Sequence, residues 1–528
     1  NNSGGPAVAG IVTSAGVVYR AKAVVLTTGT FLKGRIIIGD ESIPAGRSGE
    51  FPADNLSLSL ARCGFRLGRL KTGTQPRVDG RSIDYSLARV QVGSQVPLFF
   101  SFAARNAYRE GRMAAPTALS PIADLASQVP PPGGSWRQQM DCHVVHTSAE
   151  THDVIRTNLH RAPMYNGGIT SAGPRYCPSI ETKIIRFATK DSHQLFLEPE
   201  GWSTHEVYVQ GANTSLPEDV QLAMLQTIPA LRNAQIMRPG YAIEYDYLPG
   251  TQVFPTLETK LLANLFLAGQ IIGTTGYEEA GALGILAGIN ASSKVLAREP
   301  VVLRRDQSYI GVLVDDLVTK EMDEPYRMHT SQAEFRLLLR QDNADARLAE
   351  LGHRVGLLDD DRFAELLRRS RQVAEIVHSL EQAWIVPNAP TCQALARLNL
   401  QPPGNPLRVS EFLCRADVTV RTLQELGFVP TPLLDEVARE IETVVKYAGY
   451  VSRQQSEVKR LQRMEERIIP GDVDYWALEG LRSESRERLS LVRPRTIGQA
   501  SRIAGVAPSD VSVLLVHLER NRRRVAAG

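Results

Sequence analysis

Two short apolar runs, each closing on glycine, constrain this chain more than any other feature. Val24-Val25-Leu26-Thr27-Thr28-Gly29-Thr30 reads as a buried parallel strand ending at a ligand crevice. Leu265-Phe266-Leu267-Ala268-Gly269-Gln270 is again a buried strand ending in glycine. Gly273-Thr-Thr-Gly-Tyr-Glu-Glu279 follows it, and then a helix rich in small residues: Ala280, Gly281, Gly284, Ala287 and Gly288. A helical glycine costs about 1 kcal/mol relative to alanine. Several on one face therefore predict the close approach of a backbone or a ligand, and the loop and helix N-terminus offer N–H groups to an anion. Tight helix–sheet packing without a ligand fits the same residues.

At 528 residues the chain exceeds what one core supports, so about three domains are expected. The net charge of +3 leaves any affinity for polyanions to local patches. The five cysteines (Cys63, Cys142, Cys177, Cys392 and Cys414) are odd in number and form no C-x-x-C pair. That pattern argues against a disulfide framework and for a reducing compartment. No run is long and apolar enough to span a membrane, and Asn1-Asn2-Ser3-Gly4-Gly5 shows no signal-peptide or transit-peptide pattern. The chain does not begin with Met, which fits a fragment starting inside a domain. No two of its 41 glycines are separated by a single residue, so it holds no G-x-G-x-x-G fingerprint. A dinucleotide bound in the usual way would need that loop upstream of residue 1.

The foremost reactive residue is Cys177, within Gly173-Pro-Arg-Tyr-Cys-Pro-Ser-Ile-Glu-Thr-Lys-Ile-Ile-Arg-Phe187. Pro178 suits the first position of a helix, and Ile180, Ile184 and Phe187 recur at helical spacing. Cys177 then sits at the N-cap, where the helix dipole and the nearby Arg175, Lys183 and Arg186 favour a thiolate nucleophile. A buried structural cysteine fits the same local sequence.

Other stretches carry weaker signals. Residues 8–12 and 17–20 read as a hairpin. Gly68-Arg-Leu-Lys-Thr-Gly-Thr74 with Arg77 places Arg69, Lys71 and Arg77 around a Gly/Thr loop, which suits phosphate or simply a solvated basic loop. Residues 103–139, with Pro130-Pro-Pro-Gly-Gly134, read as a loop insertion or linker. Cys142, His143, His146, His152 and His160 match no zinc spacing and are placed on a strand and the helix after it. Residues 194–200 and 205–209 read as paired strands, and Tyr241–Tyr245 as another. Ser215-Leu-Pro-Glu218 reads as a capping box opening a helix to Ile228. Glu334–Leu339 is helix-like, 361–384 an amphipathic helix, 385–408 a Pro-bearing linker and 433–467 helical. From residue 485 onward nine Arg face three acidic residues, and Arg493, Arg495, Arg502 and the Arg520–Arg524 cluster suit an RNA backbone or a charged, frayed terminus.

Taken together, these motifs resemble the MnmG/GidA family. The resemblance rests on Gly173–Glu181, Gly269-Gln270 with Gly273–Glu279, Glu324-Pro-Tyr-Arg-Met328, Asp342-Asn-Ala-Asp345, Gly68–Thr74 and Thr496-Ile-Gly-Gln-Ala-Ser-Arg-Ile-Ala-Gly-Val506. It runs in order from about Val8 to Arg524. It implies an α/β fold: an FAD-binding Rossmann-like (glutathione-reductase-like) domain, an α+β insertion domain and an all-α C-terminal domain. The implied division is 1–75 and 250–305 for the FAD-binding domain, 76–249 for the insertion and 306–528 for the helical domain. The family's activity, with FAD, NADH, methylenetetrahydrofolate and the GTPase MnmE, places an aminomethyl-type group on carbon five of the wobble uridine of certain tRNAs. A homodimer and a cytoplasmic location (mitochondrial in a eukaryote) are also implied.

Carried over by residue, the resemblance makes Cys177 the functional cysteine. A thiolate added at carbon six of uridine makes an enolate able to attack an electrophilic methylene. Cofactor contacts fall to Gly29, Gly269, Gln270, Gly273, Thr274, Thr275, Gly276 and Glu278. Gly173, Pro174, Arg175, Tyr176, Pro178, Ser179, Ile180, Glu181, Lys183, Arg186 and Phe187 match the nicotinamide segment. RNA contacts fall to Arg69, Lys71, Arg77, Arg493, Arg495, Arg502, Arg522, Arg523 and Arg524. The chain departs from the family pattern at Ile272 (usually Asn), Leu283 (usually Gln), Ala53 (Ser expected), Gln75 (Pro) and Gln332 (Arg). Losing amides at 272 and 283 removes hydrogen-bonding capacity. A remnant that binds tRNA or GTPase without flavin, a TrmFO-like folate- and FAD-dependent tRNA methyltransferase, and a small-molecule flavoprotein dehydrogenase are the competing readings.

Overall fold

The computed structural model describes residues 5–94, 98–99, 104, 107–108, 140–176 and 178–527, without the side chains of 460 and 521–527. Cys177 lies outside the described residues, as do the side chains of Arg522, Arg523 and Arg524 and nearly all of the Pro-rich stretch 103–139.

The two Gly-terminated runs become β3 (Val24–Leu26) and β14 (Leu265–Leu267). They pair in parallel, Leu265 with Val24 through Leu267 with Leu26. β1 (Gly10–Val12) and β2 (Val18–Arg20) form the expected hairpin. Behind β14 lies a core of Leu32, Leu248, Phe266, Ile271, Ile272, Leu283, Leu286 and Leu317. Ile272 and Leu283 are fully buried there, so these two departures from the family pattern are packing residues in this chain.

A second layer joins this core to the insertion. β13 (Tyr241–Tyr247) runs between β4 (Arg35–Ile38) and β6 (Gly68–Thr74), all antiparallel, with β5 (Glu41–Pro44) on the outer edge. The Gly68–Thr74 stretch is thus a seven-residue strand and not the loop its composition implied. Its pairing with β13, which carries Tyr241, Ile243, Tyr245 and Tyr247 on one face, outweighs the low strand propensity of its two glycines.

Beyond it lies a six-stranded sheet of β7 (Arg77–Asp79), β8 (Arg89–Gln91), β9 (Cys142–His146), the expected pair β10 (Gln194–Pro199) and β11 (Glu206–Gln210), and β12 (Ile236–Arg238). Its strands are ordered β12-β7-β11-β10-β9-β8. The helix Ala149–Thr157 follows β9, and Ser148 closes a capping box with Thr151. The expected capping box at Ser215 is absent. Helix Glu218–Gln226 starts after Pro217, with Glu218 and Asp219 in its first turn, while the Ser215 N–H turns to Glu181.

The C-terminal half is helical. Tyr309–Thr319 is buried from Gly311 onward, packing Leu313 and Leu317 on the α/β core and Val312 against Phe335 and Val458. Glu334–Leu339 forms consecutive turns instead of the expected helix. The amphipathic helix appears as Asp360–Gln382. The 385–408 segment is no linker: it holds helix Ala389–Arg397 and two short paired strands, with Leu395 fully buried. The 31-residue helix Asp435–Glu465 connects two helical cores, and Ser483–Val492, Ile497–Arg502 and Pro508–Ala527 complete the terminal bundle.

Candidate functional site

Parallel pairing brings the C-terminal ends of β3 and β14 side by side, the place where α/β sheets open a crevice. Glycine is required at each exit: Gly29 has φ +57°, Gly269 φ +85° and Gly273 φ +94°. A β-carbon on Gly29 would lie 3.6 Å from the Gln270 Oε1, so the Gln270 side chain reaches across to the β3 exit. Near this crevice, among the described residues, the Thr28 and Thr274 hydroxyls are buried without a partner, and the buried Tyr245 hydroxyl has Gln270 as its only neighbour to bond. Tyr245 is fully buried, and burial pushes its phenol well above the ordinary range. Buried hydroxyls left unbonded cost about 1–3 kcal/mol each. A flat ligand edged with hydrogen-bonding groups, such as the flavin of FAD, fits such a set.

The Gly173–Phe187 segment meets this crevice. The Tyr176 hydroxyl bonds to Thr275, and Arg175 pairs with Glu324 at 2.6 Å. Glu324–Met328 in turn lies along the same loop: the Tyr326 N–H donates to the Gly273 carbonyl at 2.8 Å, and the Thr275 N–H to the Tyr326 carbonyl at 3.3 Å. The sequence motifs 173–176, 269–276 and 324–328 therefore form one contact region. Below Gly173 runs the buried Lys71, whose N–H donates to the Ala172 carbonyl at 2.9 Å. Ser171 bonds to the buried Glu244, which also takes Arg35 at 2.5 Å.

Not every expected role has the expected geometry. Helix Ile180–Arg186 is capped by Ser179, whose side chain accepts from the Thr182 N–H. Residue 177 thus precedes the N-cap by two positions, and Pro178 does not open the helix. Glu181 and Lys183 are turned into the insertion: Glu181 accepts from Thr214 at 2.7 Å, and Lys183 donates to the Gly211 carbonyl at 2.9 Å. Arg186 and Phe187 are exposed, while Ile180 is core.

Helix Tyr277–Val295 starts at Gly276 with no side-chain cap, but Glu278 and Glu279 occupy its first turn. Glu279 accepts from the Met328 N–H at 2.8 Å and from Arg327 at 3.0 Å. Glu278 is held below the usual carboxylate range by a backbone N–H bond and by Arg327. An anion at this helix start would meet two carboxylates, contrary to the expectation from the loop alone. Among the described residues nothing lies within 4 Å of a β-carbon on Gly281, Gly284 or Gly288, so no described backbone makes the close approach their spacing implied.

The basic residues are spread widely. Arg69 pairs with Asp246 at 2.8 Å, and Arg77 pairs with Glu200 at 2.8 Å while lying over the Tyr208 ring. Arg502 is enclosed between Asp315 (2.6 Å) and Glu465 (2.6 Å), which leaves it no face for a phosphate. Arg493 and Arg495 are exposed. Tyr245 and Thr28 were not singled out from the sequence. The spacing Tyr241, Tyr245, Tyr247 on one face of a strand was the available signal for Tyr245.

A parallel strand pair with glycines at both exits, a sheet-rich insertion and a helical C-terminal region define a Rossmann-like α/β protein with an α+β insertion and an all-α tail. The chain matches the family described as "Glucose inhibited division protein A" over residues 3–119 and 126–299. It matches the MnmG/GidA C-terminal helical domain over 360–455 and the C-terminal helical bundle over 457–527. GidA of Aquifex aeolicus, in its form II crystal, superposes with a TM-score of 0.81 at 40% identity, covering 97% of this chain and 77% of that one. Two proteins named tRNA uridine 5-carboxymethylaminomethyl modification enzyme MnmG are similar. The one from Roseiflexus sp. (strain RS-1) is 52% identical over 97% of this chain and 75% of its own length. The one from Bacillus subtilis (strain 168) is 47% identical over 97% and 77%. The chain belongs to the MnmG/GidA family.

Proposed function

We propose that this chain is a flavin-dependent tRNA-modifying enzyme that adds a (carboxymethyl)aminomethyl group to carbon five of the wobble uridine, working with an MnmE-type GTPase. The names of its relatives support the reaction. One observation supports the cofactor most directly: at the β3/β14 crevice, among the described residues, the Thr28 and Thr274 hydroxyls are buried without a partner, and the buried Tyr245 hydroxyl has only Gln270 to bond. These residues would hold FAD, with Gly29 and Gly269 giving its edge room to approach the backbone. Bound FAD would supply electron transfer between NADH and the one-carbon unit of methylenetetrahydrofolate. Arg175 and Tyr176, anchored to Glu324 and Thr275, would present the nicotinamide segment to that crevice.

Cys177 is assigned the thiolate that adds to carbon six of uridine, on the strength of its place in that segment. The new sulfur–carbon bond makes carbon five nucleophilic. After carbon five is alkylated, loss of its proton and expulsion of the thiolate restore the ring. The division into 1–75 with 250–305, 76–249 and 306–528 serves this reading, with helix Tyr309–Thr319 as the wall shared by the α/β and helical parts. A homodimer in the cytoplasm belongs to the same proposal.

The test combines quenching of FAD fluorescence with nucleoside mass spectrometry of tRNA incubated with GTPase, GTP, NADH and methylenetetrahydrofolate. It is run on this chain and on the chain joined to the part of the Roseiflexus relative that it does not cover. Flavin quenching and a modified uridine are expected from the joined protein, and Cys177→Ser is expected to abolish the modification while keeping the quenching. Absence of quenching in both proteins overturns the flavin reading. Full modification by Cys177→Ser overturns the role of the thiol.

A further inference from the structure

A cavity of about 820 Å³ lies away from the β3/β14 crevice, between the Phe254–Lys260 turn, the C-terminal half of helix Tyr277–Val295 and the terminal helical bundle. Its size falls in the range of ligand pockets, roughly 300–1,000 Å³. Five cations line it (Lys260, Lys294, Arg298, Arg493 and Arg495) against one carboxylate, Glu258. Three of the five are already engaged. Lys260 Nζ donates to the Thr251 and Val492 carbonyls, both at 2.7 Å, and so ties the turn to the bundle. Lys294 pairs with Glu258 at 2.9 Å, and Arg493 donates to the Gly471 carbonyl at 3.1 Å. The guanidinium groups of Arg298 and Arg495 make no hydrogen bond or ion pair among the described residues, and both residues are exposed. Most of the remaining wall is apolar, with Phe254, Phe266, Pro300, Pro470 and Ile468, the last 71% exposed, and Thr256 and Asn290 are its polar members.

We infer that this cleft binds the phosphodiester backbone of RNA, with Arg298 and Arg495 as the phosphate-contacting residues. Like charges gathered in one concavity raise the local potential and attract a polyanion. A guanidinium without a protein partner is suited to bidentate contact with phosphate. Aromatic and proline faces beside the cations suit riboses and unstacked bases, the combination found in grooves that track a nucleic-acid strand. A carboxylate-bearing protein surface would use the cations but not this recessed apolar wall. Lys260 and Lys294 add to the field without leaving their partners. The site lies partly on the α/β body, so RNA held there would span from the terminal bundle toward the domain that carries the crevice.

This inference rests on the tRNA reading above, and the experiment separates the two. Binding of fluorescently labelled tRNA by the full chain is measured by anisotropy from 50 to 200 mM salt. The Arg298→Ala/Arg495→Ala double variant is compared with an Arg20→Ala/Arg232→Ala control bearing two exposed cations elsewhere. The cleft variant is expected to bind at least about tenfold more weakly at 100 mM salt. Its slope of log affinity against log salt should be shallower by about 1.5, since each lost phosphate contact removes about 0.7–0.9. The control should match the unchanged chain, and melting temperatures should agree for all three. A cleft variant with unchanged affinity and slope overturns the inference while leaving the tRNA reading intact. Loss of GTPase binding with tRNA binding unchanged also overturns it, in favour of an acidic protein partner. An unsubstituted chain that binds no tRNA overturns the tRNA reading itself.

Discussion

Ala53 shows how one substitution is absorbed. It is the N-cap of helix Asp54–Arg62 and offers that helix no side-chain acceptor, where the family resemblance expects a serine. Ala53→Ser would place a hydroxyl to accept one of the orphan N–H groups of the first turn. The expected gain is about 0.5 kcal/mol, the low end of such effects, because ψ of 63° at this residue stops short of extended geometry. The denaturation midpoint should rise with an unchanged slope, and a lower midpoint would show that the hydroxyl cannot reach the turn. Single residues were legible where their chemistry is local. Gly29 and Gly269 could be read as strand exits because few residues but glycine accept positive φ there. Tyr245 could not be read as a site residue, because its place beside Gln270, 25 positions away, is made only by folding.

At the scale of elements, the sequence was clear where periodicity alone decides and misleading where pairing decides. The amphipathic helix Asp360–Gln382 and the strands Gln194–Pro199 and Glu206–Gln210 carry their own patterns. Gly68–Thr74 looks like a loop until β13 is set beside it, and 385–408 looks like a linker until Leu395 finds its core. The Phe254–Lys260 turn depends on such a distant partner too, and its lysine reports on the contact. Burial lowers the Lys260 pKa from 10.5 to about 8. The folded state therefore loses this proton near pH 8 and the unfolded chain near 10.5. Below pH 8 both states hold the proton and the group adds no pH dependence. Between pH 8 and 10.5 the unfolded state binds more protons, so stability rises with pH, by up to about 3 kcal/mol. A neutral amine still has two N–H groups for the Thr251 and Val492 carbonyls. Urea titrations from pH 7.5 to 10.5 should show the chain gaining stability relative to Lys260→Met, and a constant difference would mean the amine is solvated.

Across the whole molecule, the α/β body and the helical region are joined through helix Tyr309–Thr319 and the ion network around it. Arg305 contacts Asp315 at 3.1 Å, Asp316 at 2.8 Å and Glu334 at 2.9 Å, and Asp315 is shared with Arg502 of the terminal bundle. Arg502 also takes Glu465, at the end of the helix that links the two helical cores. Burial works against the Arg502 charge, but Asp315 and Glu465 outweigh it and raise its pKa. The sequence offered Arg502 only as one of a run of basic residues, because Asp315 stands 187 positions away. Two predictions for Arg502→Met follow from its two possible employments. As a phosphate contact, it would weaken tRNA binding and leave the melting temperature unchanged. As a buried clamp, it would leave Asp315 with Arg305 alone and Glu465 with Thr496, stranding charge where solvent is scarce. Removing one partner of a buried pair costs about 3–5 kcal/mol. The lower figure applies here, because both carboxylates keep one other contact. The expected result is a loss of about 3 kcal/mol, seen as an earlier unfolding transition of the terminal bundle. At temperatures where the bundle is folded, the slope of tRNA affinity against salt should stay unchanged. An unaltered transition with a shallower salt slope would move Arg502 from the clamp to the RNA surface.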